Sequence, residues 1–212
     1  MASSVDEIIV VDQNSTDKTV KIAEKHGAKI IHTTPKGFAD PDRDYCYSLA
    51  TTEWILALDP DETPDADFMS NLRQFVREKS VDVYWFIFDN TVDGVDISEI
   101  LGPDPHPRLW RRLNTNGEPT LRWPSTAHTH PSINTTRVVY VEKGRINHAR
   151  TKEEVEKAHS ERHSAIHPHA RQQEEEFLKK LDELLRKAAP AGIKDAKPKE
   201  VDMKPRPVGK RP

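Results

Sequence analysis

The chain of 212 residues has a single cysteine, Cys46, so it can build neither an intramolecular disulfide framework nor a cysteine-rich zinc site. It lacks an excess of either charge. Charged residues make up 32% of the chain, yet the formal net charge is only -3, which leaves no global basic field for nucleic acid and no strong acidic bias. No apolar run approaches the roughly 20 residues needed to span a bilayer. The opening "MASSVDEIIVVD" has neither a basic n-region nor a long apolar h-region, so it does not read as a signal peptide. No internal repeat is present. The expectation is a soluble, cytoplasmic protein whose 35% hydrophobic content suffices for one ordinary domain with a core, and some extra chain.

That extra chain begins near residue 150. Before it, apolar runs alternate with polar turns; after it, Glu, Lys and His dominate. "DEIIVVD", "KIIH", "EWILALD" and "VDVYWFIF" read as buried strands. Between them lie helical patterns: one after "QNSTD", with Asn14 or Ser15 as cap, Asp17 at the positive end of the dipole and Gly27 as stop. A short one follows around Tyr45. A third opens at Pro64, with Phe68, Leu72, Phe75 and Val76 on one face. Residues 107–142 read as shorter strands and turns, including "PRLWRR", "NTNG" and "TRVVYVE". This β-α-β-α-β-α-β order, then β-rich, predicts an α/β fold with a mixed, mainly parallel sheet flanked by helices. Three regions are expected: a core over 1–150, a helical extension over 151–189 interrupted near Pro168, and a disordered, proline-rich tail over 190–212.

In open α/β sheets, ligand sites lie beyond the carboxyl ends of the strands. Two strands here end in acid, at Asp12 and at Asp59, and Asp61 follows one residue later. In an extended segment that spacing aims Asp59 and Asp61 to the same side. Carboxylates converging on one crevice repel unless a cation neutralises them, and hard oxygen ligands suit Mg²⁺ or Mn²⁺, completed by substrate phosphates. The competing reading is a solvated acidic turn capping the helix at Pro64. Glu62 reads as helix-dipole support rather than a ligand.

"EIIVVDQNSTDKTVKIAEKHGAKII" followed by the Arg-containing "DPDRDYCYSLATTEWILALDPDE" resembles family 2 glycosyltransferases of the GT-A, Rossmann-like fold. The likeness covers about the first 90 residues and continues to about residue 150 through "RLWRR", "RWPSTAH" and "INH". It implies a metal-dependent, inverting transfer of a sugar from a nucleotide-diphosphate sugar to an acceptor hydroxyl on a glycan, lipid or protein. By position, Asp12, Asn14 and Asp17 would serve the donor nucleotide. Asp59 and Asp61 would form the D-x-D motif for Mn²⁺ or Mg²⁺, with His148 as a third ligand. Arg43 matches a family arginine near the donor, or else pairs at the surface with Asp42 or Asp44.

The resemblance also implies a usual first strand and helix that "MASSVDEIIVVD" does not supply, and an acceptor-region glutamate where Thr129 stands. The general base would be His128 or His130, or Asp89 or Asp93 after the long strand. Trp123 either stacks on a sugar or packs. Two other functions stay open. One is a non-catalytic GT-A-like binding or assembly module. The other is a histidine metallohydrolase, suggested by pairs such as His159 and His163, which share a helical face but lack an H-E-x-x-H motif. The apolar stripe Phe177, Leu181, Leu184 and Leu185 suits a homo-oligomer contact or a fold-back onto the core.

Overall fold

The unbroken apolar run "VYWFIF" calls for a strand covered on both faces, and the computed structural model puts that strand inside a mixed six-stranded sheet. The structure describes residues 4–37, 39–124, 131–162 and 168–188. The chain divides into two compact units, Met1–Ser164 and Ala165–Pro212.

The first unit begins with β1 (Ile9–Asp12), α1 (Thr19–Lys25) and β2 (Lys29–His32); the two strands pair in parallel. Gly27, at φ 76°, turns the chain out of α1. Next come α2 (Asp40–Ser48), β3 (Trp54–Leu56), β4 (Glu62–Pro64) and α3 (Ala66–Arg77). The strand expected over "EWILALD" is therefore short, and Pro64 ends β4 rather than opening the helix. The cap is Asp65, which accepts a 2.6 Å hydrogen bond from the Phe68 amide.

β5 (Val83–Val92) turns at Asp93-Gly94 into β6 (Val95–Asp96), followed by α4 (Ser98–Leu101), β7 (Pro105–Arg111), β8 (Leu121–Arg122), β9 (Ser132–Ile133), β10 (Val138–Arg150) and α5 (Lys152–Arg162). Within the large sheet the order is β3-β7-β5-β10-β4, with β6 on β5. The longest ladder, β5 with β10, is parallel; the others in this sheet are antiparallel. β8 and β9 form their own antiparallel pair.

The alternation of β5 separates two cores. Tyr84, Phe86 and Phe88 join Phe68, Leu72, Leu109 and Ile146 under α3. Val83 joins Ile55, Trp110 and Leu121 on the opposite face, with Tyr47 and Trp123 packed against it. Two irregularities break the ladders. In β7, Tyr84 faces Leu109 but Trp85 faces Pro107, so Arg108 is the extra residue of a bulge. In β10 the register jumps between Val141 and Ile146, and the Arg145 carbonyl there accepts the Asp65 amide.

The second unit, as far as it is described, is α6 (Pro168–Ala188). Pro168 stands first, where its missing N–H is no loss, and Leu181 is fully buried in the apolar stripe. No helix among the described residues is long and apolar enough to cross a membrane.

Gly144, in the β10 irregularity, has φ 98°, and a Cβ there would lie 3.1 Å from the Phe68 Cα and 3.2 Å from its amide nitrogen. Gly144→Ala should destabilise the protein by about 1–3 kcal/mol. Gly117→Ala, at φ 78° with nothing within 4 Å, should cost less. Urea unfolding of both variants checks the order.

Candidate active site

The segment from Asp59 to Glu62 folds as a tight turn: the Glu62 amide donates to the Asp59 carbonyl at 3.0 Å, and the Glu62 carboxylate accepts the Asp59 amide at 3.2 Å. The segment is thus a turn and not the extended chain expected from the D-x-D spacing. Two-residue alternation belongs to extended chain; in the turn Asp59 and Asp61 take different partners, though the charge of Asp61 still acts on Asp59.

Asp59 points to arginine. Arg43, on α2, makes a two-pronged contact, Nη1 to Oδ1 at 3.0 Å and Nη2 to Oδ2 at 2.9 Å. Arg43 Nε also donates to Asp40 at 2.9 Å, and the guanidinium lies 4.7 Å from the centre of the Trp123 ring. Its partners are thus Asp40 and Asp59, not Asp42 or Asp44. Arg108 Nη2 lies 3.6 Å from Asp59 Oδ2, the oxygen that Arg43 Nη2 also holds. Burial opposes ionisation of Asp59, but the Arg43 hydrogen bonds and the charges of Arg43 and Arg108 outweigh it and hold the carboxyl below its ordinary range.

Glu62 is a second surprise. It is buried in β4, with its side chain 2% exposed, and takes Arg108 Nε at 2.7 Å and Nη2 at 2.5 Å. It is an internal ion pair, not helix-dipole support. The β7 bulge is what turns Arg108 toward it.

Asp61 points to histidine. Its Oδ2 lies 2.9 Å from His148 Nε2, and this contact, against the opposing effect of burial, pulls the Asp61 carboxyl below its usual range. His148 sits opposite Glu62 in the β10–β4 ladder, which explains how a distant residue reaches the turn. Its other nitrogen, Nδ1, lies 2.7 Å from Asn90 Oδ1 on β5. Among the described residues no three His, Cys, Asp or Glu side chains are grouped to hold a metal ion. The pair of Asp61 and His148 does fit two positions of a divalent cation shell: one carboxylate oxygen and one imidazole nitrogen face each other, and substrate phosphates can supply the remainder.

The first strand ends in a separate cluster. Asp12, 3% exposed, accepts the Ser15 amide on both oxygens at 3.2 Å and faces His32 Nδ1 at 3.3 Å. Ser15 and His32, with burial opposing, draw its carboxyl below the usual range. Asn14 adopts φ 62° in this turn, and Asp17 accepts the Thr19 amide at 2.8 Å. α2 joins the two clusters through successive residues. Asp42 receives Gln13 at 2.9 Å and Thr33 at 3.1 Å and pairs with Lys36; Arg43 holds Asp59; Asp44 accepts the Trp123 amide at 2.5 Å.

Asp89 is not brought to this site. Alternation along β5 puts it on the face opposite Asn90, where it is half exposed and 3.5 Å from Arg145. The Asp93 carboxylate accepts the Lys152 amide. His128, His130, His163 and His167 lie outside the described residues, as does the tail from 189. Asn90, Arg108 and the partnership of Glu62 are features that the sequence reading missed. Their only signals were a polar residue ending an apolar strand and an arginine inside "PRLWRR".

A family model described as "Glycosyl transferase family 2" matches residues 2–144. An uncharacterized glycosyltransferase of Rickettsia felis is 38% identical over 80 residues, covering 38% of this chain and 28% of the relative. A TPR repeat-containing protein of Synechococcus elongatus is 33% identical over 90 residues, covering 42% of this chain and 22% of the relative. The chain thus spans about a quarter of the length of these relatives. The crystal structure of S. aureus TarS 1–349 in complex with UDP aligns with a TM-score of 0.51 at 19% identity, covering 68% of this chain and 51% of that one, a likeness of fold.

Two outcomes follow from the charges. Arg108→Ala leaves Glu62 buried and unpaired and should cost about 3–5 kcal/mol, whereas Arg108→Met with Glu62→Leu should recover much of that in urea unfolding. Asp42 is drawn below its ordinary range, because its contacts to Lys36, Gln13 and Thr33 outweigh the larger single effect of burial. A carboxyl depressed in the folded state stabilises above the unfolded value of about 3.9 and loses that contribution as pH falls through the folded value. Asp42→Asn should therefore lower stability near neutral pH and flatten the acid limb of a stability–pH curve.

Proposed function

Since the chain belongs to glycosyl transferase family 2, we propose that it transfers a sugar from a nucleotide-diphosphate sugar to an acceptor hydroxyl, with inversion and with the help of a divalent cation. The observation that carries this reading is the pairing of Asp61 with His148 at the end of the Asp59–Glu62 turn. Asp61 and His148 would hold Mn²⁺ or Mg²⁺. A cation there offsets the charge that develops on the departing nucleoside diphosphate. Asp59, fixed by Arg43, sets the turn that aims Asp61. Asp12, with Asn14 and Asp17 in the following turn, would receive the nucleoside. UDP, bound by the fold neighbour TarS, is the first nucleotide to test.

The acceptor proton needs a base. His128 and His130 are the candidates we retain. Supporting them is Trp123, five residues before His128, whose ring covers Arg43. Asp89 faces away from the Asp61–His148 pair and is set aside. The acceptor would be a glycan, lipid or protein bound by residues 90–150. The proposed core, extension and tail correspond to residues 1–150, 151–189 and 190–212.

One observation favours a non-catalytic binding module instead. Arg43 and Arg108 already compensate the charge of Asp59, so that carboxylate needs no cation. Thermal unfolding with UDP and Mn²⁺, together with Mn²⁺-dependent hydrolysis of UDP-sugars, separates the two. Ligand at about 100 times Kd should add about 2.7 kcal/mol of stability. Asp61→Ala and His148→Ala should abolish both the Mn²⁺-dependent part of the shift and the hydrolysis. A shift without hydrolysis would favour the binding module, and the absence of both signals would sink the transferase reading.

A further inference from the structure

Hydrogen bonds on one imidazole ring point to a residue that acts from behind the site; the argument rests on the reading of Asp61 and His148 as the cation-holding pair. Asn90 and His148 are register partners on β5 and β10, and Asn90 Oδ1 lies 2.7 Å from His148 Nδ1. Which end of the amide faces the ring is fixed by Asp104. Asn90 Nδ2 donates to Asp104 Oδ2 at 2.9 Å, and a carboxylate accepts only. The amide nitrogen is therefore committed to Asp104, and the carbonyl oxygen is left for His148. That oxygen also accepts only, so Nδ1 carries the proton.

Asp104 is held in turn. His106 Nε2 sits 2.8 Å from its other oxygen, and Phe88 packs against both imidazoles, with ring centres 4.4 Å from His106 and 5.5 Å from His148. Asn90 is 4% exposed, so water does not compete for its amide. With Nδ1 committed to Asn90, Nε2 is the ring nitrogen left to face Asp61, 2.9 Å away.

We infer that Asn90, oriented by Asp104, is a positioning residue that commits His148 Nδ1 to donation and so leaves Nε2 to act with Asp61 as adjacent ligands of a cation. An amide nitrogen has no lone pair free to accept, so the chain from Asp104 to His148 fixes an orientation and does not carry a proton. Outer partners of metal-bound histidines act in this way, and their loss weakens metal binding by about 10–100-fold.

The test uses the whole chain and two readouts. In the metal-free protein, ¹⁵N–¹H spectra should contain a slowly exchanging His148 Nδ1–H signal, identified by its absence in His148→Gln. Calorimetry measures Mn²⁺ binding. Asn90→Leu, which keeps the branched shape but removes the acceptor, should lose that signal and bind Mn²⁺ about 10–100-fold more weakly. Exchanging the two groups, Asn90→Asp with Asp104→Asn, keeps an acceptor toward the ring and a donor behind it, and should retain both signal and affinity. The inference is overturned if the signal is missing from the unaltered protein. It is overturned equally if Asn90→Leu keeps both signal and affinity, or, should Asn90→Leu not fold, if the folded exchange variant lacks the signal. A signal that is present and lost in Asn90→Leu, in a protein that binds no Mn²⁺, would uphold the orientation of the ring by Asn90 and overturn its role toward a cation.

Discussion

The ion pair between Arg108 and Glu62 is the contact on which the rest of the site depends. Both side chains are almost fully removed from water, so each charge needs the other. Arg108 reaches Glu62 only because β7 carries one residue more than β5 at that point. Glu62 then closes the turn back to the Asp59 amide and lines β4 up beside β10, with His148 as its register partner. A bulge in one strand thus decides where a histidine on another strand meets Asp61.

The turn also separates two carboxylates that look equivalent in the sequence. Asp59 is answered from within the protein, by arginines on α2 and β7. Asp61 is 40% exposed, and its partner is a histidine held from behind by an amide. One acid is therefore held by arginines, and the other stays open to solvent.

Much of the frame could be read from the chain. Periodicity located the strand containing "VYWFIF", and the apolar face of Phe68, Leu72, Phe75 and Val76 located α3. Gly27 marked the end of α1. The failures share a cause. Alternation assumes regular chain, and Asp59 and Asp61 lie in a turn instead. It gave no hint of Arg108 because a bulge re-aims that side chain. Pro64 looked like a helix start, yet it closes a strand, and the neighbouring Asp65 takes the cap. Glu62, Asn90 and Asp104 belong to pairings between segments far apart in sequence, and no local pattern encodes those.

α2 illustrates how little slack the arrangement has. Asp42, Arg43 and Asp44 follow one another, and each binds a different part of the chain: the turn after β1, the turn after β3, and the segment at Trp123. Consecutive helical residues diverge by about 100° around the axis. The helix is in effect a three-way junction with a fixed phase. A residue inserted within the triplet would swing one of its contacts by about 100° relative to the others, so the three pairings could not survive together. Length can change only outside Asp42–Asp44, in the loops on either side of α2.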